Sequence, residues 1–174
     1  MLVIQKRIFL LLLALGLVTL GYAQRVQRQA YAFMLDQLLE HRVPEISVRE
    51  ARALREVTFL DSRTRDEFEV SHLPGAKWVG YDAFTPQVIQ DLPKEQAIIV
   101  YCSVGYRSEK IAQKLRQQGY QKVFNLYGGI FEWVNQHQPI EDKQGHPTRK
   151  VHAYDRLWGI WLTEGQKVYE LQDP

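Results

Sequence analysis

The chain has 174 residues, 45% of them apolar and 24% charged, which is enough for one domain with a buried core plus extensions. Its formal net charge is +2. Lys6 and Arg7 account for that excess, so residues 24–174 are neutral, which argues against nucleic acid as the main partner. A single cysteine excludes an internal disulfide and every cysteine-based zinc motif. His41, His72, His137, His146 and His152 show no close ligand-type pairing, so neither a metal nor a cofactor is expected.

Residues 1–23 have the three parts of an export signal: Lys6 and Arg7, then an apolar stretch over residues 8–20, then Gly21-Tyr22-Ala23. The apolar stretch is short beside the roughly 20 residues of a comfortable membrane span. Arg25 and Arg28 disfavour cleavage, which keeps an uncleaved N-terminal anchor as the alternative. Both readings export the protein, to the periplasm or another extracytoplasmic site, with membrane association through residues 1–23 in the second. No cysteine follows the apolar run, which argues against a lipoprotein anchor.

Residues 24–41 read as a helix, with Tyr31, Met34, Leu35, Leu38 and Leu39 at helical spacing and Pro44 beyond its end. Residues 46–48 form a short strand and residues 49–56 a charged helix. Residues 57–61 are a strand, residues 64–70 a short helix, and Pro74-Gly75 a turn. A strand over residues 76–79 and a weak helix near residues 86–92 follow. The apolar, β-branched run at residues 97–101 is a buried strand. Residues 107–118 form a helix with Ile111, Ala112 and Leu115 inward and Gly119 as its stop. Residues 122–126 are a strand, Gly128-Gly129 a break, and residues 130–136 a short helix. Strands alternating with helices imply an α/β fold with a central parallel sheet of about five strands, flanked by helices on both faces.

The organisation expected is a leader (residues 1–23), an N-terminal helix (24–42), the main domain (43–140) and a C-terminal extension (141–174). The extension is too aromatic for a disordered tail, with Tyr154, Trp158, Ile160 and Trp161. It is expected as a strap packed on the domain. A lid over the cysteine pocket is the alternative its aromatic density suggests.

Cys102 stands between the buried strand and the next helix. Thiolate, not thiol, is the nucleophile, and a helix N-terminus favours it. Ser103, Val104, Gly105 and Tyr106 supply backbone N–H groups, and a loop curled around the sulfur makes an anion-binding nest. Gly105 permits the backbone angles that such a curl needs. Arg107 adds a cation with a fork suited to an oxyanion. The plainer reading is an inert buried thiol, with Arg107 capping its own loop. Asp61 and Arg63 are expected as a structural ion pair, His72 as a turn-stabilising residue, and Trp133 as core.

Several separated segments occur in a recognisable order. They are Phe59-Leu60-Asp61-Ser62-Arg63, Asp66-Glu67-Phe68, Ser71-His72-Leu73-Pro74-Gly75-Ala76, the loop from Cys102 to Arg107, and Val123-Phe124-Asn125-Leu126-Tyr127-Gly128-Gly129 with Trp133. In these segments the chain resembles the rhodanese-like domain, the single-domain sulfurtransferase type. The resemblance implies a persulfide relay. Cys102 takes a sulfane sulfur from thiosulfate or a persulfide, the loop from Ser103 to Arg107 cradles it, and a thiol or cyanide accepts it. Tyr106 is expected as an aromatic wall at the pocket mouth. Phosphatases of the same fold carry one more residue between cysteine and arginine, so the shorter loop here favours sulfur. A non-catalytic binding or sulfur-delivery module is the alternative from another class. Ser71 departs from the glycine that the family often has before its histidine, at a turn expected to be remote from the sulfur.

Overall fold

The computed structural model describes Val26 and residues 28–169. The expected leader lies outside the described residues. Among the described residues no helix is long and apolar enough to cross a membrane.

The elements run α1 (Gln29–Leu38), β1 (Glu45–Ile46), α2 (Val48–Ala53), β2 (Val57–Asp61), α3 (Arg65–Val70), β3 (Lys77–Trp78), β4 (Ala97–Tyr101), α4 (Tyr106–Gln117), β5 (Val123–Leu126) and α5 (Gly129–Asn135). A 3-10 turn over Pro86–Ile89 replaces the helix expected near residues 86–92. Strands β1 to β5 form one parallel sheet in the order β1-β5-β4-β2-β3. The expected α/β architecture is therefore present, and β4 lies at its centre.

Period-two alternation in β4 sorts the core. Ile98 and Val100 face α4, where Ile111, Ala112 and Leu115 meet Leu60 and Val123. Ile99 and Tyr101 face the other layer, built by α1, α2 and α5 with Tyr31, Leu35, Val48, Ile130 and Phe131. Both faces of β4 are thus apolar, which is why its sequence reads as an unbroken run.

Two element boundaries differ from expectation for identifiable reasons. Val48 belongs to α2, not to a strand, because Ser47 caps that helix in a reciprocal box with Glu50. Helix α1 stops at Leu38 because the buried Glu109 carboxylate takes the N–H groups of Glu40 (3.0 Å) and Arg42 (2.9 Å). Those donors are then lost to a continuing helix.

After α5 the chain forms β6 (Ile140–Glu141), β7 (Pro147–Thr148), β8 (Lys150–His152) and β9 (Gln166–Val168), with a 3-10 turn at Trp158–Trp161. Strand β6 pairs with β7 and β8 with β9. Val151, Ala153 and Leu162 are fully buried in the same core layer as α1 and α5. Trp161 stacks on Tyr31, their ring centres 5.3 Å apart. Asn135 at the end of α5 holds this segment: it donates to Trp161 O (2.9 Å) and accepts from the Thr163 N–H (2.8 Å) and the Glu164 N–H (3.2 Å).

Candidate active site

In parallel α/β sheets ligands bind beyond the carboxyl ends of the strands, where successive connections diverge. Here that place lies between β2, which leads outward to β3, and β4, which leads the other way to β5. Cys102 leaves β4 there, and Asp61, Ser62 and Arg63 leave β2 beside it. The Ser62 N–H and its hydroxyl both donate to Tyr101 O at 2.9 Å, extending the β2–β4 ladder to the foot of the cysteine loop.

The loop is short and held from behind. Ile130 N–H donates to Cys102 O (2.9 Å) and Phe131 N–H to Ser103 O (3.1 Å), both from the first turn of α5. Gly129 makes this approach possible. A Cβ there would lie 2.3 Å from Cys102 O, and its φ is +57°. Gly105, with φ +120°, turns the chain so that its N–H donates to Cys102 Sγ at 3.1 Å. Ser108 Oγ lies 3.5 Å from the same sulfur and 2.7 Å from Asn125 Oδ1. The Asn125 amide donates in turn to Gly105 O at 3.0 Å. Cys102 is only 1% exposed.

The remaining expected loop residues take distinct places. Val104 packs in the core layer with α1 and α5. The Ser103 hydroxyl donates to Glu67 Oε1 at 2.9 Å. Tyr106 opens α4 with its ring exposed and the Lys110 ammonium 5.6 Å above it, so it lies along the helix. Arg107 does not present a free fork. Its Nη1 and Nη2 both donate to the Glu67 carboxylate at 2.7 Å, and Nη2 also reaches Ser103 Oγ at 3.0 Å. Glu67 serves α3 at the same time, taking the Thr64 N–H and hydroxyl at 3.0 Å each in a capping box. Burial pushes the Glu67 carboxyl up, but the Arg107 hydrogen bonds and the Arg107 and Arg63 charges outweigh it and hold it at about 2. Arg107 is raised above its ordinary value: burial lowers it, and the Glu67 hydrogen bonds with the Cys102 and Glu67 charges more than compensate.

Glu67, Ser108 and Asn125 are site residues that sequence reasoning passed over. Each left a signal. Thr64 and Glu67 have capping-box spacing on the segment after β2. Asn125 is a fully buried amide within an apolar strand, which requires partners.

Beside the loop, Arg63 and Asp61 form a pair with no exposed side-chain surface, with Nη2 and Oδ2 2.6 Å apart. Arg63 Nη2 also donates to Ser71 O at 2.6 Å, tying the end of α3 to β2. Ser71, the departure from the family pattern, therefore belongs to the bracket next to the loop. His72 stacks on Phe68 at 3.9 Å and bonds Phe68 O through Nδ1 at 3.0 Å, as a turn-stabilising residue. Trp133 is core, edge-on to Phe59 at 5.6 Å. A cleft of about 370 Å³ lined by Val134, His137, Ile140 and Arg149 sits at the seam of α5 and the C-terminal segment, away from the cysteine loop.

The profile of the rhodanese-like domain matches residues 47–136, about half of the chain and all of this geometry except α1, β1 and the C-terminal segment. The chain belongs to the rhodanese-like domain family. Among curated relatives, it is 32% identical over 117 residues to a tRNA uridine(34) hydroxylase of Erwinia tasmaniensis, covering 63% of this chain and 32% of that protein. The protein of the same name from Cronobacter sakazakii is 33% identical over the same length, with the same coverage. The chain thus spans about a third of the length of the curated relatives it matches. Among solved structures, the thiosulfate sulfurtransferase of Pseudomonas aeruginosa is 26% identical with a TM-score of 0.55, over 64% of this chain and 22% of that one. A Bacillus halodurans protein at 23% identity shares the fold, with a TM-score of 0.52 over 66% of this chain and 85% of that one. The loop from Cys102 to Arg107 lies within the matched residues, and Glu67 fixes its far end.

Proposed function

We propose that the protein is a sulfurtransferase that carries sulfane sulfur on Cys102. The observation that carries this reading is the loop itself. A thiol stands at the carboxyl end of the central strand, a backbone N–H reaches its sulfur at 3.1 Å, and only four residues separate it from Arg107. In the reaction, the Cys102 thiolate attacks the outer sulfur of thiosulfate. The S–S bond of the donor breaks, sulfite leaves with the bonding pair, and Cys102 holds a persulfide anion. A thiolate or cyanide then attacks the terminal sulfur, and Cys102 departs as thiolate. Charge and electrons balance at both steps, so no redox cofactor is required. The Gly105 N–H faces the atom that bears negative charge at the start and end of the cycle.

The small loop speaks against a phosphatase. Neutral residues 24–174 and the pairing of Arg107 with Glu67 speak against a polyanion such as tRNA as substrate. Residues 1–23 support export as part of this reading, with an acceptor thiol outside the cytoplasm.

Mass spectrometry after exposure to thiosulfate, polysulfide and glutathione persulfide tests the reading. The wild type gains one sulfur atom on Cys102 with at least one donor, and discharges it to cyanide. Cys102→Ser gains none and keeps the wild-type melting temperature. Absence of any adduct on the wild type overturns the proposal. Vanadate-sensitive hydrolysis of an aryl phosphate would replace it with the phosphatase reading.

A further inference from the structure

The C-terminal segment lies outside the matched residues 47–136, yet it reaches the cysteine loop. Strand β8 packs against α3, the helix that carries Glu67. His152 on β8 is half-buried and feels the charges of Glu67, Arg63, Arg107 and Asp66. Two residues on, the Tyr154 ring covers the Arg107 guanidinium, with Cζ 5.3 Å from the ring centre. Arg107 in turn donates to the hydroxyl of Ser103, the residue after Cys102, at 3.0 Å.

Tyr154 is mounted unusually for an aromatic residue. Its φ is +65°, a left-handed conformation costly for a side chain with a Cβ. On either side the segment is fixed: Val151 and Ala153 have no exposed surface, and Trp161 is stacked on Tyr31. Between these anchors residues 154–157 are all exposed. The Tyr154 N–H bonds its own neighbour's ring, His152 Nδ1, at 3.2 Å. A half-exposed ring resting on a cation is weakly held and can swing aside. Other contacts near the loop are firmer. Leu39 abuts Gly105, and the Tyr31 hydroxyl is bonded to Gly128 O at 2.9 Å.

We propose that Tyr154 is a specificity-determining residue of the Cys102 site: its ring on Arg107 narrows the approach to the sulfur and favours slim donors and acceptors over bulky ones. The proposal rests on the sulfur-transfer reading for its chemistry, while its test reads access to the sulfur directly.

The test compares the full chain with Tyr154→Ala, Tyr154→Phe and Leu157→Ala. Leu157 is 72% exposed on the same turn and controls for general loosening. Cys102 is alkylated with iodoacetamide and, separately, with pyrenyl maleimide, and the ratio of the two rates is taken. Tyr154→Ala raises the bulky-to-small ratio about tenfold, while Tyr154→Phe and Leu157→Ala leave it within about twofold. An unchanged ratio in Tyr154→Ala, or an equal rise in Leu157→Ala, overturns the proposal. Alkylation proceeds whether or not Cys102 carries sulfur, so failure of the transfer reading shows separately, as the absence of persulfide on the wild type.

Discussion

Replacing Glu67 by glutamine keeps the shape of the side chain and removes its charge. The helix start survives, because glutamine serves a capping box as well as glutamate. What is lost is the bidentate partner of Arg107, a guanidinium whose side chain is only 17% exposed. A carboxyl held at about 2 in place of its ordinary 4.5 contributes about 3 kcal/mol to folding at neutral pH, at about 1.4 kcal/mol per tenfold change in proton affinity. Removing one partner of a buried pair costs a similar amount, about 3–5 kcal/mol, because the other charge stays buried and alone. Against a total stability of about 5–15 kcal/mol this is a large fraction. The pH dependence has a definite sign. The folded carboxyl binds protons less readily than the unfolded one, so its contribution is complete above pH 4.5 and is lost as pH falls through about 2. Urea unfolding of wild type and Glu67→Gln at several pH values measures this. The gap between the proteins is about 3 kcal/mol at pH 7 and closes in acid. The double variant Glu67→Gln/Arg107→Met recovers more than half of the loss, since no unpaired cation remains. A gap below about 1 kcal/mol at pH 7, typical of an exposed pair, refutes the assignment. So does a gap that fails to narrow in acid.

Two further substitutions probe what holds the loop and the C-terminal segment. In Gly129→Ala the new Cβ meets Cys102 O at 2.3 Å and Ser103 O at 2.6 Å, both backbone atoms that cannot yield. Thermal unfolding falls by about 10 °C, equivalent to about 3 kcal/mol, and a melting point within about 2 °C of wild type contradicts the geometry. Asn135→Ala removes the bonds to Trp161 O and to the Thr163 and Glu164 N–H groups. It costs about 1–3 kcal/mol, and hydrogen exchange accelerates at Thr163 and Glu164 while β4 stays protected. Unaltered exchange at those two amides means the segment is anchored elsewhere.

The strands nearest the site were the easiest to read. Residues 57–61 and 97–101 are strands at those bounds, because both sit inside a parallel sheet and are rich in β-branched and aromatic residues. The short edge strands β1 and β3 have two residues each and leave almost no period to detect. Ile46-Ser47-Val48 alternates as a strand does, yet Ser47 and Glu50 carry the helix-start signature that draws Val48 into α2. The end of α1 was unreadable for a different reason. Its terminator, Glu109, lies 69 residues from Glu40 in the chain.

The same distinction between local and distant contacts separates what was legible in the site. Cys102, Gly105 and Arg107 lie within one loop, and their spacing alone marked them as a unit. The role of Arg107 was not local. The chain places a cation there, but only the fold brings Glu67 from 40 residues away to both of its Nη atoms. That pairing changes what the arginine does. A guanidinium saturated by a carboxylate attracts a dianionic donor weakly, because the two charges nearly cancel beyond the first few ångströms. On the proposed reading, attraction for the donor then falls to backbone N–H groups such as that of Gly105. The pairing also serves the loop mechanically. Glu67 is fixed to the start of α3 by Thr64, so Arg107 and Ser103 are fixed to it as well. The loop is thus held at its far end by α3 and from behind by α5. In the proposed sulfur transfer, a thiol that accepts and releases a sulfur atom without redrawing its surroundings needs this rigidity more than it needs a free charge beside it.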